Sequence, residues 1–374
     1  FIEHMLFKGT VCRYKPQMIS EEIESIGGIL NASTDKEITI YYTKTSKDYF
    51  DRSLSVLTDM ISNPLFDAKE IERERNVILE ELSMTYDQPD ALADLLIDQA
   101  LWPGQAIGRD VGGTRESVNS ITREDLIDYH RSQYIPSNIV VSVAGDIDHI
   151  YLVDQVDRAI DITDHARKYH IEPLQLETKK SIRVEMSEKL TDQTHFCLAF
   201  NGVASDSEDS YALDMLSTVL GEGMTSRLFL EIREKLGLAY DVHSSSMHYH
   251  DCGATVIGCG TDSTNAEATL SAILNELGKL NKGISGRELS RAVEYSIGRL
   301  QLRMEDSRAV MIWLGAQEIL KNRIDTVEDV ELKLRSITTD DLVLSAIKYT
   351  DVSNARLSVV GPHNTKYPFE QILA

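Results

Sequence analysis

The sequence is poor in cysteine and has no long apolar run. Its four cysteines, Cys12, Cys197, Cys252 and Cys259, form no C-x-x-C pair and are too sparse for a disulfide framework in 374 residues. A reducing compartment therefore fits the composition best. No apolar stretch approaches the ~18 residues of a membrane span. The sequence thus predicts neither a disulfide-stapled domain nor a membrane protein.

Basic residues are also scarce relative to acidic ones. The chain has 38 lysines and arginines against 60 aspartates and glutamates, which gives a formal charge of -22. This imbalance argues against nucleic acid and against anionic membrane surfaces as partners. Basic peptides are compatible ligands, but an acidic surface also serves solubility alone. The charge therefore only excludes partners and does not identify one.

An internal repeat is the clearest organisational feature. Short matches in the first half recur in the second half, without a gap, at a constant offset of 216 residues. The matched pairs are Ser120-Ile121-Thr122 with Ser336-Ile337-Thr338, Asp125-Leu126 with Asp341-Leu342, Ser137-Asn138 with Ser353-Asn354, Ser142-Val143 with Ser358-Val359, and Gly145 with Gly361. A chain of this length with two such copies is expected to form two homologous domains.

Each copy has the pattern of an N-capped helix, a turn and a strand that ends at glycine. The strands are predicted at IVVSVAGDID (139–148) and ARLSVVGPHN (355–364). The second unit also opens with the strand-like stretches SIRVEMSEKL and THFCLAFNG, for which the first has no counterpart. The polar, proline-containing segment 162–180 is the predicted linker between domain 1–161 and domain 181–374.

The stretch most informative about chemistry is FIEHMLFKGT, at residues 1–10. It is followed at a distance by the helical pattern ERERNVILEELSM, which contains Glu74, Glu80 and Glu81. FIEHMLFKGT resembles the H-x-x-E-H segment of the pitrilysin and insulinase superfamily of zinc peptidases. The resemblance covers essentially the whole chain and is to the two-domain branch that includes mitochondrial processing peptidase and its bacterial relatives.

The resemblance implies a zinc site. In that family two histidines four residues apart on one helix face bind zinc, the intervening glutamate acts on the zinc-bound water, and a distal glutamate is the third ligand. Here His4 corresponds to the second histidine and Glu3 to the general base, and the first histidine would stand immediately before Phe1. Glu81 corresponds to the distal ligand, with Glu80 as the competitor that cannot face the metal at the same time. Glu74 corresponds to a further acidic residue that orients a ligand or the water.

Two further segments resemble substrate-binding parts of the family. Asn31 and Ala32, before the strand EITIYYTKT, match an edge strand on which extended peptides pair; from the residues alone they also suit a glycine turn entering an ordinary strand. Phe229, Arg233 and Tyr240 match a helix whose Arg and Tyr hold the substrate backbone and the tetrahedral intermediate. From the residues alone, Arg233 and Tyr240 also suit an arginine on a helix surface and a tyrosine in the core. The cluster of His243, His248 and His250 is interpreted as structural rather than as a second metal site.

The resemblance implies an α+β fold of two homologous α/β-sandwich-like domains, each with a mixed antiparallel sheet and helices packed on one side, the first lacking its N-terminal strands. It implies a Zn²⁺-dependent endopeptidase acting on peptides or unfolded precursor segments, in a homodimer or a heterodimer with a related subunit. The alternative is a non-catalytic, peptide-binding partner subunit. A chain that begins at Phe1 keeps two of the three protein ligands and is expected to bind zinc weakly and to be inactive. A bacterial cytoplasm is favoured over a mitochondrial matrix.

Overall fold

The computed structural model describes residues 1–160, 173–175 and 183–374. Most of the predicted linker 162–180 lies outside these residues, so the domain boundary at that segment stays a prediction. No helix among the described residues is long and apolar enough to cross a membrane.

The helices and strands follow one another along the chain without a simple alternation. The helices are α1 Ile2–Leu6, α2 Pro16–Glu24, α3 Phe50–Ser62, α4 Ala68–Asp87, α5 Pro89–Leu101, α6 Arg115–Ser120, α7 Arg123–Gln133, α8 His149–Ala159, α9 Ser210–Gly221, α10 Ala266–Leu280, α11 Gly286–Met304, α12 Ser307–Lys321, α13 Val327–Ser336, α14 Thr339–Tyr349 and α15 Tyr367–Leu373. The strands are β1 Ile29–Thr34, β2 Thr39–Lys44, β3 Arg183–Glu188, β4 Gln193–Asn201, β5 Ala239–His248, β6 Gly253–Asp262 and β7 Arg356–Gly361.

The chain divides into two compact units. Unit 1 contains residues 1–83, the described part of 110–172, and residues 303–324. Unit 2 contains residues 84–109, the described part of 173–302, and residues 325–374. The fold class expected from the sequence, a mixed α/β chain with helices on a mixed sheet, is confirmed.

Unit 1 is built around an antiparallel hairpin, β1 with β2, in which Ala32 pairs with Tyr41. Helices α1, α2 and α3 pack their apolar sides together beneath it. This core consists of Ile2, Met5, Leu6, Ile19, Ile23, Val56, Met60, Phe66, Ile71 and Leu126.

Unit 2 is built around a five-stranded sheet in the order β3-β7-β4-β6-β5. The β3–β7 pair is parallel, and the other pairs are antiparallel. Alternation along β4 sends Phe196, Leu198 and Phe200 into one core and Cys197 and Ala199 into another, on the opposite face. The expected layer of helices covers the first face, and α5 adds a helix on part of the second.

The repeat predicted from the sequence recurs in the structure at the same 216-residue offset. Helix α7, at 123–133, corresponds residue for residue to α14, at 339–349. Thr122 and Thr338 cap these helices by accepting from the backbone N–H groups of Asp125 and Asp341, in matching capping boxes. The predicted N-capped helices are therefore confirmed.

The two copies differ where the strand follows. The second copy forms β7, but the strand predicted at 139–148 is wrong, because residues 139–144 form no strand. In unit 2, β7 is hydrogen-bonded between β3 and β4. Residues 139–144, by contrast, pair with no strand among the described residues.

Each compact unit contains one segment that belongs, by sequence, to the other repeat. Residues 84–109 precede most of unit 2 in the chain but belong to it, and residues 303–324 follow most of unit 1 but belong to it. The 216-residue offset carries 84–109 onto 300–325, so the two exchanged segments are equivalent parts of the repeat. Each unit is therefore completed by a helix from the other copy, α5 in unit 2 and α12 in unit 1.

Candidate metal and peptide site

Helix α1 holds the Glu3-His4 pair through a one-sided apolar pattern. Ile2, Met5 and Leu6 are buried in the unit 1 core, at the i, i+3 and i+4 positions that share one helix face. Glu3 and His4 occupy the remaining surface of the same short helix and are only partly buried. Core packing on one side thus fixes the orientation of the polar pair on the other.

His4 lies between two carboxylates of α4. Its Nδ1 is 3.0 Å from Glu74 Oε2, and its Nε2 is 3.6 Å from Glu81 Oε2. Glu74 is buried on the apolar stripe of α4, while the Glu81 side chain is 57% exposed. Because a carboxylate only accepts hydrogen bonds, the Glu74 contact favours the ring tautomer that carries its proton on Nδ1 and its lone pair on Nε2, on the side of Glu81.

This donor set fits a zinc ion. Two ligands each about 2.1 Å from a tetrahedral zinc lie about 3.4 Å apart, close to the 3.6 Å between His4 Nε2 and Glu81 Oε2. A carboxylate on the other ring nitrogen is the usual support of a zinc-bound histidine, which is the place of Glu74. In the described residues no three His, Cys, Asp or Glu side chains are arranged as a complete metal site. His4 and Glu81 could supply two donors of such a site, whereas Glu80 lies on the exposed side of α4.

The residues after His4 connect the site to the core. Lys8 Nζ is 2.6 Å from Glu74 Oε1. Gly9 has φ +114, and a Cβ there would lie 3.2 Å from the Tyr14 carbonyl oxygen, so the turn requires glycine. Thr10 is fully buried and donates its hydroxyl to Asp59. Lys8 therefore contacts Glu74, while Gly9 and Thr10 fix the turn that follows it.

Glu3 faces the hairpin of unit 1. The Thr34 hydroxyl, at the end of β1, donates to Glu3 Oε2. Behind them the hydroxyls of Tyr41 and Tyr134 are 2.8 Å apart. Burial above all, with a contribution from the charge of Glu3, raises the pKa of Tyr134 to about 12, and burial likewise raises that of Tyr41. Both phenols therefore stay neutral at physiological pH.

Strand β1 offers an edge near this pair. Among the described residues it pairs with β2 and with no other strand. Asn31 is exposed, and its side-chain oxygen accepts the N–H of Ala32 at 2.8 Å. An extended peptide added to this edge would compete for that N–H, as expected for strand addition. The structure thus puts Asn31 and Ala32 on an edge strand; their contact with substrate stays a prediction.

In unit 2 the sequence-predicted trio comes together. The Arg233 guanidinium carbon lies 4.8 Å from the Phe229 ring centroid and 4.6 Å from the Tyr240 centroid, so the cation is held between two aromatic rings. Phe229–Lys235 is a π-helical segment, a feature often found at functional sites. The Tyr240 side chain is 77% exposed. This exposure does not match the core-tyrosine interpretation.

The second repeat has apolar residues at the positions equivalent to Glu3, His4 and Glu81. The 216-residue offset carries Glu3, His4 and Glu81 onto Val219, Leu220 and Ile297. All three of these side chains are buried in the main core of unit 2. His248, one of the clustered histidines, has its ring nitrogens 2.8 Å from the Val203 carbonyl and 3.0 Å from Asp214, a structural arrangement.

Two related α/β units, of which only the first carries the Glu-His pair and its distal glutamate, define a two-repeat chain of the metallopeptidase type. Family models agree: "Insulinase (Peptidase family M16)" matches residues 1–115, and "Peptidase M16 inactive domain" matches residues 120–295. An uncharacterized zinc protease of Streptomyces coelicolor is 34% identical over 98% of this chain and 81% of its own length. One of Bacillus subtilis is 33% identical over 91% of this chain and 82% of its own. The chain belongs to peptidase family M16, the insulinase family.

Solved structures show the same fold. A protease from Helicobacter pylori superposes with a TM-score of 0.91 at 24% identity, covering 96% of this chain and 88% of that one. A peptidase M16 inactive domain from Pseudomonas fluorescens superposes with a TM-score of 0.84 at 21% identity, covering 97% and 88%. At these identities the likeness concerns the fold alone.

Sequence reasoning did not single out Lys8 and Thr34, although both contact the predicted site residues. Lys8 follows the end of α1, where helix periodicity no longer predicts its direction, and its partner Glu74 is 66 positions away. Thr34 meets Glu3 across 31 positions. The FKGT stretch was the available signal for Lys8; no local pattern marks Thr34.

Proposed function

We propose that this chain is a zinc-dependent endopeptidase with Glu3 as its general base. The observation that carries the proposal is the position of His4, with Nδ1 bonded to buried Glu74 and Nε2 3.6 Å from Glu81. A solvated histidine at a helix end would not need a buried carboxylate on one nitrogen and a second carboxylate facing the other. Membership in family M16 and relatives named zinc proteases support the same conclusion.

His4 and Glu81 would hold the ion, together with the histidine that the family motif puts ahead of Phe1. Bound there, zinc supplies Lewis acidity, which acidifies a water molecule and polarises a carbonyl group. Glu3 takes a proton from the attacking water at its carboxylate and returns it to the leaving amine. Thr34 holds that carboxylate in place between the two transfers, and Glu74 fixes the His4 ring.

The peptide would lie along β1, with the Ala32 N–H and Asn31 as backbone contacts. Arg233 and Tyr240, with Phe229 against the guanidinium, would hold the substrate backbone and the oxyanion that forms at the scissile carbonyl. We place these two parts in a chamber between subunits of a homodimer or a heterodimer. The bacterial relatives suit a bacterial cytoplasm.

The test measures cleavage of a quenched fluorogenic peptide by the zinc-loaded protein. The protein is extended at its N-terminus so that the first histidine of the family motif precedes Phe1. Glu3→Gln should abolish cleavage while zinc still binds stoichiometrically, because the ligands are untouched. Glu80→Gln is the matched control: it makes the same chemical change on an exposed residue and should leave the rate unchanged. Equal cleavage by the wild type and Glu3→Gln would refute the role of Glu3.

A second candidate is a non-catalytic subunit that binds peptides beside an active chain. The buried Val219, Leu220 and Ile297 favour it for the second repeat, as does the match to the M16 inactive domain. Glu3, His4 and Glu81 weigh against it for the chain as a whole, since a non-catalytic subunit has no use for them. Stoichiometric zinc without cleavage by the wild type would favour this candidate.

A further inference from the structure

Lys8 makes a partly buried ion pair with the carboxylate that contacts His4. Its Nζ is 2.6 Å from Glu74 Oε1, and Glu74 Oε2 is 3.0 Å from His4 Nδ1. The Glu74 side chain is 8% exposed and that of Lys8 27%. One carboxylate thus bridges a lysine and the candidate zinc-binding histidine, with one oxygen for each.

The backbone is shaped to direct Lys8 at Glu74. The Lys8 N–H donates to the Met5 carbonyl at 3.0 Å, closing the end of α1. Gly9, with φ +114, then turns the chain back in a conformation that side chains other than glycine rarely adopt. The following residue, buried Thr10, donates its hydroxyl to Asp59 and fixes the far end of the turn. Lys8 therefore projects from a fixed frame rather than from a free loop end.

A carboxylate in this position needs both of its partners. Glu74 lies on the buried stripe of α4 with Ile71 and Ile78, where an uncompensated charge is costly. An ion pair on Oε1 also fixes the rotation of the carboxylate, and so the direction from which Oε2 meets the imidazole. Loss of the lysine would leave Glu74 free to turn toward water and the His4 ring without a fixed support.

We propose that Lys8 is a positioning residue of the metal site: through Glu74 it sets the orientation of the His4 ring, and hence the approach of Nε2 and Glu81 to a common ion. Lys8 touches neither substrate nor metal in this role. The proposal rests on the proposed function, because it assumes that His4 and Glu81 bind zinc.

The experiment measures the zinc dissociation constant by competition with a chromophoric chelator, on the protein with the motif histidine ahead of Phe1. Lys8→Met should weaken zinc binding by about 10-fold to 100-fold, the usual effect of losing an outer partner of a ligand. Lys8→Arg restores a cation and should recover most of the affinity. Lys69→Met, the same change at an exposed lysine of α4, should have no effect.

The outcomes separate the two proposals. If the wild type itself binds no zinc, the proposed function fails. If the wild type binds tightly and Lys8→Met binds equally tightly, the role of Lys8 is wrong and the function stands. Equal losses in Lys8→Met and Lys8→Arg, with unchanged thermal unfolding of the metal-free proteins, would also overturn it. If Lys8→Met does not fold, Lys8→Gln replaces it, with the same weakening expected.

Discussion

Replacing Ile97 by alanine tests whether α5, from the first repeat, builds the core of unit 2. The Ile97 side chain is 2% exposed and belongs to the apolar cluster that α5 forms with β4, β6 and β7. Removing a buried isoleucine to alanine costs about 2–4 kcal/mol where the cavity cannot close. Local opening of the sheet would then become about 30-fold to 700-fold more frequent, at about 1.4 kcal/mol per factor of ten.

Amide hydrogen exchange, measured by mass spectrometry, shows which helices and strands lose stability. We expect faster exchange in α5 and in the central strands β4, β6 and β7, with α1 and α3 of unit 1 unchanged. Ile150→Ala is the matched control, since that side chain is 79% exposed on α8 and its loss should cost less than about 0.5 kcal/mol. Faster exchange in α1 and α3, with β4 and β6 unaffected, would refute the assignment of α5 to unit 2.

Two further changes address the site. Thr34→Val removes the hydroxyl that donates to Glu3, so the carboxylate is held less firmly and kcat/KM on the fluorogenic peptide should fall roughly tenfold. Thr34→Ser should restore kcat/KM. An unchanged kcat/KM in the valine variant would contradict a role for this contact. Gly9→Ala should lower the free energy of unfolding, measured by chemical denaturation, by about 3 kcal/mol, because Gly9 has φ +114 and lies close to the Tyr14 carbonyl. The control Gly27→Ala, at φ +69 with no atom near its Cβ position, should lower it by about 1–2 kcal/mol. Equal losses in the two variants would show that the Tyr14 contact does not matter.

The fold could be predicted from the sequence where the signal is local. Thr122 and Thr338, each three residues before an aspartate, predict capped helices, and both helices begin there. The segment 139–148 has a β-branched pattern similar to that of β7, but a strand forms only where partners supply hydrogen bonds. Pattern alone therefore could not separate a paired segment from an unpaired one.

The exchange of helices between repeats was beyond sequence reasoning for a different reason. The apolar residues of α5, such as Leu92, Ile97 and Leu101, show that the helix is buried. They do not show which sheet buries it, because hydrophobic burial is non-directional. The same holds for Lys8: its charge predicts a carboxylate partner but not that the partner is Glu74. Long-range partners depend on the whole topology.

The equivalence of the two repeats explains why only the first of them offers donors for a metal site. At the position equivalent to Glu81, whose side chain is 57% exposed, unit 2 has Ile297, which is 3% exposed and packed among apolar residues. At the position equivalent to His4 it has Leu220, which is fully buried. Ligands placed there would have to lose their hydration without any opening for water or substrate. The second repeat is therefore closed at the place where the first has its candidate site, and we propose that it contributes through other surfaces, such as that of Arg233.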